Sequence, residues 1–293
     1  MWKFYKYQGA GNDFLIADNR DGLISENNGV LVCRDSQGNI AEIKISDICD
    51  RRYGIGADGL MLLESSDEYD FHMEYFNSDG SGGMMCGNGG RCMVAFAADM
   101  GIKHFDFDAA DGFHTAQIMH DGGNSKVIRL QMKNVSEVAS YDRLASLDIV
   151  SEGWFLDTGT RHYVRFVDSL DSYDIVSEGR TIRYAEELGP IGANVNFVEP
   201  YDGGIKVRTY EKGVEDETFA CGTGIVASAI ASYVKGVMPS AVQSDGRIRY
   251  DVKAKRDFLS VDFVPQDADA LLFSEVWLTG PAVRLAEILL SDI

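Results

Sequence analysis

The stretch "MMCGNGGRCMVAFAADMG", Met84 to Gly101, has its plan repeated in "FACGTGIVASAIASYVKG", Phe219 to Gly236. In both copies a cysteine opens Cys-Gly-x-Gly, and about three helical turns patterned in Ala, Val, Met and Ile follow. A glycine then closes the run fifteen residues after the cysteine. Each cysteine therefore begins a helix and each closing glycine ends one. The match reaches upstream, as a duplication requires. Tyr75 lies eleven residues before Cys86, and Tyr210 lies eleven before Cys221. Ile55-Gly56-Ala57-Asp58 is echoed by Ile191-Gly192-Ala193-Asn194 at an offset of 136, against 135 for the cysteines, so one small indel separates the copies. After each Ile-Gly-Ala turn come an apolar run ("LMLLE", "NFVEP"), an alternating strand-like segment ("DFHMEYFN", "GIKVRTYE"), a loop, the cysteine and the helix. A fainter echo pairs "GAGNDFLIADN" from Gly9 with "TGTRHYVRFVD" from Thr158, each a glycine-containing turn entering a strand.

The remaining β-rich segments, such as "VIRLQM", "RIRYDVKA" and "LSVDFV", are short and bounded by Gly, Asp and Asn, while helical patterns are few. The expected fold is α+β, with two pseudo-symmetric halves, each a curled, mostly antiparallel sheet or barrel around a central helix. The boundary is expected near Lys133 to Glu137. That gives an N-terminal half of 1–133, to which 280–293 returns through "VWLTGPAVRLAEILL", and a C-terminal half of 134–279. Neither low-complexity sequence nor a linker interrupts the chain.

Charge and composition remove several function classes. A net charge of -19 over 293 residues leaves no clustered Lys and Arg for a phosphate backbone, so nucleic acid and anionic membrane are not expected partners. The N-terminus "MWKFYKYQGAGND" carries no apolar signal core, and no run approaches the ~18 apolar residues of a membrane span, so the expected location is the cytoplasm. Five cysteines and five scattered histidines form neither a disulfide framework nor a zinc motif, which fits a reducing compartment. "GIGADG", Gly54 to Gly59, satisfies G-x-G-x-x-G literally, but a charged "ICDRRY" precedes it and a strand-like "LMLLE" follows. The dinucleotide mechanism needs a strand before and a helix after. No G-x-S-x-G nucleophile signature is present.

A thiol at a helix N-terminus meets backbone N–H groups and the positive end of the dipole, which favour the thiolate, and the same N–H groups bind carboxylates. Pseudo-two-fold duplication would set two such helix ends face to face, flanking one carboxylate. Inverting a carbon stereocentre needs that arrangement, in which one thiolate removes the α-proton and one thiol delivers a proton to the opposite face. The helix N–H groups would hold the enolate-like charge. Two plainer readings of the cysteines are small core residues at Ala-rich helix starts and a disulfide between them. Cys33, Cys49 and Cys92 have no comparable setting and read as structural.

These motifs resemble diaminopimelate epimerase, a family that interconverts LL- and meso-diaminopimelate without pyridoxal phosphate. The resemblance runs through "KYQGAGNDF", "CDRRYGIGADGL", "FNSDG" with "MCGNGGRC", "GANVNFV", "ETFACGTG" and "TGPA". It implies a cofactor-independent isomerase of lysine and peptidoglycan precursor biosynthesis acting on a small amino-acid substrate, and it admits a homodimer. It implies no metal. By this resemblance Cys86 takes the proton from the LL isomer and Cys221 from the meso isomer. Gly87, Asn88, Gly222 and Thr223 would hold the reacting carboxylate through backbone N–H groups. Asn12, Asn77 and Asn194 match positions that bind the substrate's polar groups; alone, each would read as turn chemistry. Glu211 matches an acid at the substrate's distal end that supports the acid/base machinery, and His162 matches a histidine beside the active site. Thr160-Arg161-His162 stands where the family has Asn-Pro-His, and Glu211-Lys212 stands where it has Glu-Arg. "EKGVEDETFACGTG" is one residue longer than the common spacing. Both substitutions fall on substrate-contacting positions, so a racemase for another amino acid on the same fold, or a non-catalytic amino-acid-binding relative, are the alternatives. Arg161 would restore a carboxylate-binding fork if it turned inward, since Lys offers a point charge where Arg offers two parallel donors.

Overall fold

The computed structural model describes residues 2–34, 38–83, 85–147, 149, 152–267 and 271–290. The chain divides into two compact units, one of Met1–Leu130 with Pro281–Ile293 and one of Gln131–Gly280.

In the first unit the strands are β1 (Trp2–Gly9), β2 (Asn12–Asp18), β3 (Ile24–Asn27), β4 (Val30–Arg34) and β5 (Ile40–Lys44), then helix α1 (Ile45–Cys49), β6 (Gly59–Glu64) and β7 (Phe71–Asn77). Helix α2 (Gly87–Asp99) follows, then β8 (Asp106–Ala109), β9 (Gly112–Asp121) and β10 (Ser125–Gln131). The second unit holds β11 (Val138–Tyr141), β12 (Gly153–Asp157), β13 (Arg161–Phe166), α3 (Ile175–Arg183), β14 (Asn194–Tyr201), β15 (Gly204–Glu211) and β16 (Asp216–Thr218). Helix α4 (Gly222–Lys235) follows, then β17 (Ala241–Val242), β18 (Ile248–Lys253), β19 (Phe258–Asp267) and β20 (Leu272–Leu290). The last strand serves both units. Its first part pairs with β19 and its last part, from Val283, pairs with β1.

The two units repeat one pairing scheme. In the first, β1–β2 is antiparallel, β2–β6 parallel, β6–β7 antiparallel, β7–β8 parallel, and β8–β9–β10 antiparallel. In the second, β12–β13, β13–β14, β14–β15, β15–β18, β18–β19 and β19–β20 repeat that alternation. The first sheet returns on itself where β10 meets β20 and the Arg284 N–H donates to the Asn124 carbonyl. In the second, a bridge between Val135 and Phe273 brings the segment before β11 to the start of β20.

Each curled sheet encloses one helix. Every residue from Gly87 to Ala97 of α2 is buried, and so is most of α4. In α4 the buried hydroxyls of Ser228 and Ser232 donate to the carbonyls of Gly224 and Ser228, so the helix can be enclosed without orphaned polar groups. The glycines fifteen residues after each cysteine end the helices at positive φ, Gly101 at 91° and Gly236 at 82°. At the far end of α2, Asp99 accepts from Tyr7 Oη and faces Lys126 Nζ at 2.8 Å, a cation at the helix C-terminus.

The strands bury both faces. Leu15, Ala17, Leu60 and Leu62 turn away from α2 into an outer cluster with Leu31, Ile43, Ile45 and Ile48. That cluster is covered by the separate three-stranded sheet β3–β4–β5 and by α1. In the second unit Tyr163, Val195, Phe197 and Tyr210 turn outward and are covered by Ile175 and Ile182 of α3. The sequence reading assigned neither cover. Helix α3 is capped by Asp174, whose carboxylate accepts from Ser177 N, but Gly179 sits in its middle and masks the pattern. A Cβ there would lie 2.4 Å from Tyr210 Cβ, so the strand beneath dictates the glycine.

Register corrects one expected equivalence. Phe14 pairs with Gly59 at the start of β2–β6, and His162 pairs with Asn194 at the start of β13–β14. Met61 then faces Tyr75, and Asn196 faces Thr209. The structural equivalent of Tyr75 is thus Thr209. Tyr75 lies inward, 6.1 Å from the Phe14 ring, while Tyr210 lies in the outer cluster. Twelve residues separate Thr209 from Cys221 where eleven separate Tyr75 from Cys86, and a one-residue slip in a strand exchanges its faces.

A polar clamp fixes the β1–β2 hairpin, whose turn residues Ala10 and Gly11 both have positive φ. Asp58, after the turn at Gly54–Ala57, accepts from Asn12 Nδ2 at 2.9 Å and from the Asp13 N–H at 3.2 Å. Arg51 bridges Asp13 and Asp58, and Lys6 sits 2.9 Å from Asp13. Among the described residues no helix is long and apolar enough to cross a membrane.

Two stability predictions follow from these contacts. Burial alone would raise the Asp13 carboxyl, but Arg51 and Lys6 outweigh it and hold the group below its ordinary 3.8. Stability from a depressed carboxyl is complete above its unfolded pKa and is lost as pH falls through the folded one. Urea midpoints of the wild type should therefore drop more steeply below about pH 4 than those of Asp13→Asn; parallel curves would remove the clamp from the stability account. Gly192→Ala should cost more than Gly236→Ala in the same titration, about 2–4 against about 1 kcal/mol. At Gly192 a Cβ would add a contact of 2.2 Å with Arg183 Nη1 to the strain of a positive φ, whereas at Gly236 nothing lies within 4 Å.

Candidate active site

Both cysteines occupy the N-cap of their helix in extended backbone, Cys86 at φ -110° and Cys221 at φ -99°. Cys86 Sγ accepts from the Gly89 N–H at 3.2 Å. An N–H donor and the helix dipole both favour negative charge on that sulfur. First-turn N–H groups point out of a helix end, so Gly87 and Asn88 line the start of α2, and Gly222 and Thr223 line the start of α4.

In the first unit the site residues form a chain of contacts. Asn88 Nδ2 donates to Asn12 Oδ1 at 2.7 Å, and Asn12 donates in turn to Asp58. Arg91 lies beneath, fully buried; Nη2 reaches Asn88 Oδ1 at 2.8 Å, Nη1 the Gly87 carbonyl at 3.0 Å, and Nε the Pro281 carbonyl at 3.4 Å. Asn12, Gly87, Asn88 and Cys86 are thereby brought together. Asn77 is engaged with its own loop, donating to Ser81 Oγ at 3.0 Å.

In the second unit the inner face of the sheet is polar where the first is apolar. His162, Asn196 and Thr209 are all buried there. The imidazole is lowered to about 3, by burial first and by the charge of Lys212 second, so it is neutral at physiological pH. Asn196 Nδ2 lies 3.3 Å from the Tyr163 carbonyl, which can only accept, and its Oδ1 accepts from Thr209 Oγ1 at 2.9 Å. The same Nδ2 therefore donates to His162 Nδ1 at 3.0 Å, and the ring proton resides on Nε2. Nε2 is 3.0 Å from both Thr223 Oγ1 and Thr160 Oγ1, and Thr223 Oγ1 is 3.4 Å from Cys221 Sγ.

Asn194 is held by the residues that depart from the family pattern. Its Nδ2 donates to Thr160 Oγ1 and to the Arg161 carbonyl, both at 3.1 Å, and its Oδ1 accepts from the Lys212 N–H at 2.8 Å. Glu211 ends β15 beside Lys212. Arg161 does not turn inward. Its guanidinium stacks over Phe155 at 4.9 Å, on the face of β13 opposite His162, so it does not restore the fork that Lys212 lacks.

Sequence reasoning missed Asp58, Arg91, Asn196 and Thr209. Asn196 was legible in principle, since Asn194 and Asn196 share one face of a strand otherwise read as apolar. The Gly54–Gly59 motif serves the turn that presents Asp58, and a Cβ at Gly54 would lie 2.1 Å from the Asp47 carbonyl. The other cysteines lie in apolar surroundings; burial pushes Cys33 and Cys49 up to about 11 and Cys92 higher still. Among the described residues no group of three or more His, Cys, Asp or Glu is arranged to hold a metal ion.

Comparisons with known proteins agree with this picture. Residues 4–138 and 154–256 match the family model described as diaminopimelate epimerase. The chain is 42% identical to the diaminopimelate epimerase of Flavobacterium psychrophilum over 283 residues, 96% of each chain. It is 39% identical to that of Chlorobaculum tepidum, covering 94% of this chain and 95% of the relative. It is 36% identical to that of Aquifex aeolicus, covering 99% and 98%. Among solved structures, a probable proline racemase from Agrobacterium radiobacter superposes with a TM-score of 0.65 at 13% identity, over 99% of this chain and 93% of the other. A predicted epimerase from Pseudomonas aeruginosa gives 0.64 at 12% identity over the whole of both chains. At such identities these two likenesses speak to the fold, and the sequence matches speak to descent. The chain belongs to the diaminopimelate epimerase family.

Proposed function

We propose that the chain interconverts LL- and meso-diaminopimelate by a two-thiol mechanism, with Cys86 and Cys221 as the proton carriers. The observation that carries this is the duplicated helix start. Both cysteines are N-caps in Cys-Gly-x-Gly turns, which gives each thiol the setting that favours a thiolate and surrounds it with N–H donors for a carboxylate. Membership of the family, at 36% identity or more to three diaminopimelate epimerases over nearly their full length, supports the substrate.

In the LL-to-meso direction the Cys86 thiolate takes the α-proton, and charge spreads onto the carboxylate. The N–H groups of Gly87 and Asn88 on one helix and Gly222 and Thr223 on the other stabilise that charge. The Cys221 thiol then delivers its proton to the opposite face, leaving the meso product and exchanged protonation states on the two sulfurs. Asn12, Asn77 and Asn194 bind polar groups of the substrate. Lys212 meets its second carboxylate, and Glu211 its second ammonium. His162 acts here as a neutral orienting group, in keeping with its lowered pKa. We also propose a cytoplasmic location.

One feature favours a second reading. Thr160 and Lys212 sit together around Asn194, so a different distal group, and a racemase of another amino acid, is the alternative. Proton NMR in deuterium oxide separates the two. LL-diaminopimelate should lose its α-hydrogen signal with no cofactor added, and faster exchange of lysine, glutamate, histidine or proline would transfer the assignment. Cys86→Ala and Cys221→Ala should each lower epimerisation by about 10³-fold or more, as loss of an essential proton carrier does. Near-normal turnover in either variant would return that cysteine to a packing role. Lys212→Arg should lower KM for diaminopimelate by about tenfold with kcat nearly unchanged, because a distal contact is similar in ground and transition states. A change confined to kcat would remove Lys212 from the binding site.

A further inference from the structure

The two units supply an internal control for the polar cluster around α4. At matching places on the inner face, the first unit has Phe14, Met61 and Tyr75, and the second has His162, Asn196 and Thr209. A Cβ at Gly89 would touch Phe14 and Met61; one at Gly224 would lie 2.3 Å from Asn196 Oδ1. The first unit thus packs the same strands against the same kind of helix start largely with apolar groups. Three buried polar side chains are not needed to build this architecture, and burying them carries a desolvation cost that their mutual hydrogen bonds only offset.

We infer that Asn196 is a positioning residue for Cys221, fixing the tautomer of His162 and, through it, the direction in which the Thr223 hydroxyl donates. The inference rests on the two-thiol reading above. Turning the Asn196 amide over would set Oδ1 against the Tyr163 carbonyl, which can only accept, while the Thr209 hydroxyl serves either orientation; the carbonyl therefore fixes the amide. With Nδ2 donating to Nδ1, the Nε2–H must donate to hydroxyl oxygens, of Thr223 and of Thr160. A Thr223 oxygen that accepts from Nε2 is left with its own O–H to give, and Cys221 Sγ is 3.4 Å away. The thiolate form of Cys221 is stabilised by that donation, while the proton stays on Thr223 and no proton leaves His162. Were the imidazole protonated on Nδ1 instead, Nε2 would accept from Thr223 or Thr160, and the Thr223 hydroxyl would no longer be held as a donor toward the sulfur.

Asn196→Asp tests this at constant shape. An ionised carboxylate beside Nδ1 can only accept a hydrogen bond, so Nδ1 must carry the proton and the tautomer or the charge of His162 changes. Nitrogen-15 NMR of histidine-labelled wild type, with His162 assigned by its loss in His162→Gln, should show an Nε2–H neutral ring that does not titrate between about pH 5 and 8. In Asn196→Asp the same ring should carry a proton on Nδ1, and kcat should fall by about 10²-fold with KM changed by less than about threefold. Thr209→Ser, which keeps the hydroxyl, should retain most of the wild-type kcat, and Thr209→Val should lose activity by several-fold. An Nδ1–H ring in the wild type would overturn the inference, even if no variant folded. A folded Asn196→Asp enzyme with unchanged kcat would overturn it as well. The ring measurement needs no substrate. If wild type leaves diaminopimelate untouched while the ring is Nε2–H, the substrate reading fails and the tautomer assignment stands.

Discussion

A helix enclosed by a curled sheet can present polar groups only at its ends, and here each N-terminal end is made by a cysteine followed by Gly-x-Gly. That constraint governs the rest of the molecule. The third helical residue is glycine in both copies, and the space beside it is tight at position 89 and closed at position 224. A Cβ at position 89 would sit 3.3 Å from Cys86 Sγ and 3.5 Å from Met61 Sδ, and at position 224 it would collide with Asn196. Bare backbone at the helix start sets first-turn N–H groups beside the cysteine, while the helix body is buried on all sides. The cysteine is therefore the first side chain at which apolar packing gives way to hydrogen-bond donors.

The two copies achieve this in different ways. Beneath the first lies Arg91, a fully buried guanidinium that reaches two groups of its own first turn and the Pro281 carbonyl. Hydrogen bonds to a buried charge are worth about 1.5–3 kcal/mol each, and losing one leaves the charge under-solvated. Pro281 belongs to the last strand, after its register has left β19 and before it joins β1 at Val283. The return of the C-terminal strand to the first unit thus supplies part of the solvation of the cation under the helix start. The second copy has Val226 at the corresponding place in its helix and uses a neutral imidazole, an amide and hydroxyls instead. Duplication preserved the backbone device, and the side chains that support it diverged.

This divergence explains what was legible in the sequence. The helix starts and stops, the order of strands and the return of the chain end were readable, because each depends on local chemistry: a cap, a glycine at positive φ, an alternation. The outer covers were not. Sheet β3–β5 and helix α3 exist to bury Leu60, Val195 and their neighbours, and a short amphipathic helix with Gly179 at its centre has no signal strong enough to announce it. Matching Tyr75 with Tyr210 failed for a different reason. A one-residue insertion leaves the spacing of identical residues intact while exchanging the faces of the strand, so identity pointed to the wrong partner and the inward Thr209 went unnoticed. Cys86, Cys221 and the glycines beside them were legible as helix-start residues from their position alone. Arg91 and Asn196 act through contacts that only the folded register reveals.

The departure at Lys212 separates two properties that arginine would combine. Its positive charge helps to keep His162 neutral, and either cation at that position would do so. Its geometry is another matter, since an ammonium cannot grip a carboxylate with two parallel N–H groups. Arg161 offers no substitute, being stacked on Phe155 on the other face of its strand. Thr160 compensates elsewhere: a hydroxyl that accepts from Asn194 Nδ2 and from His162 Nε2 ties the distal asparagine to the network that ends at Cys221. On the proposed reading, the positive charge at the distal end is kept in kind, while the groups that would meet the shape of the distal group are a threonine and a lysine. Selectivity for the far end of the substrate can change on such a site without any change at the reacting carbon.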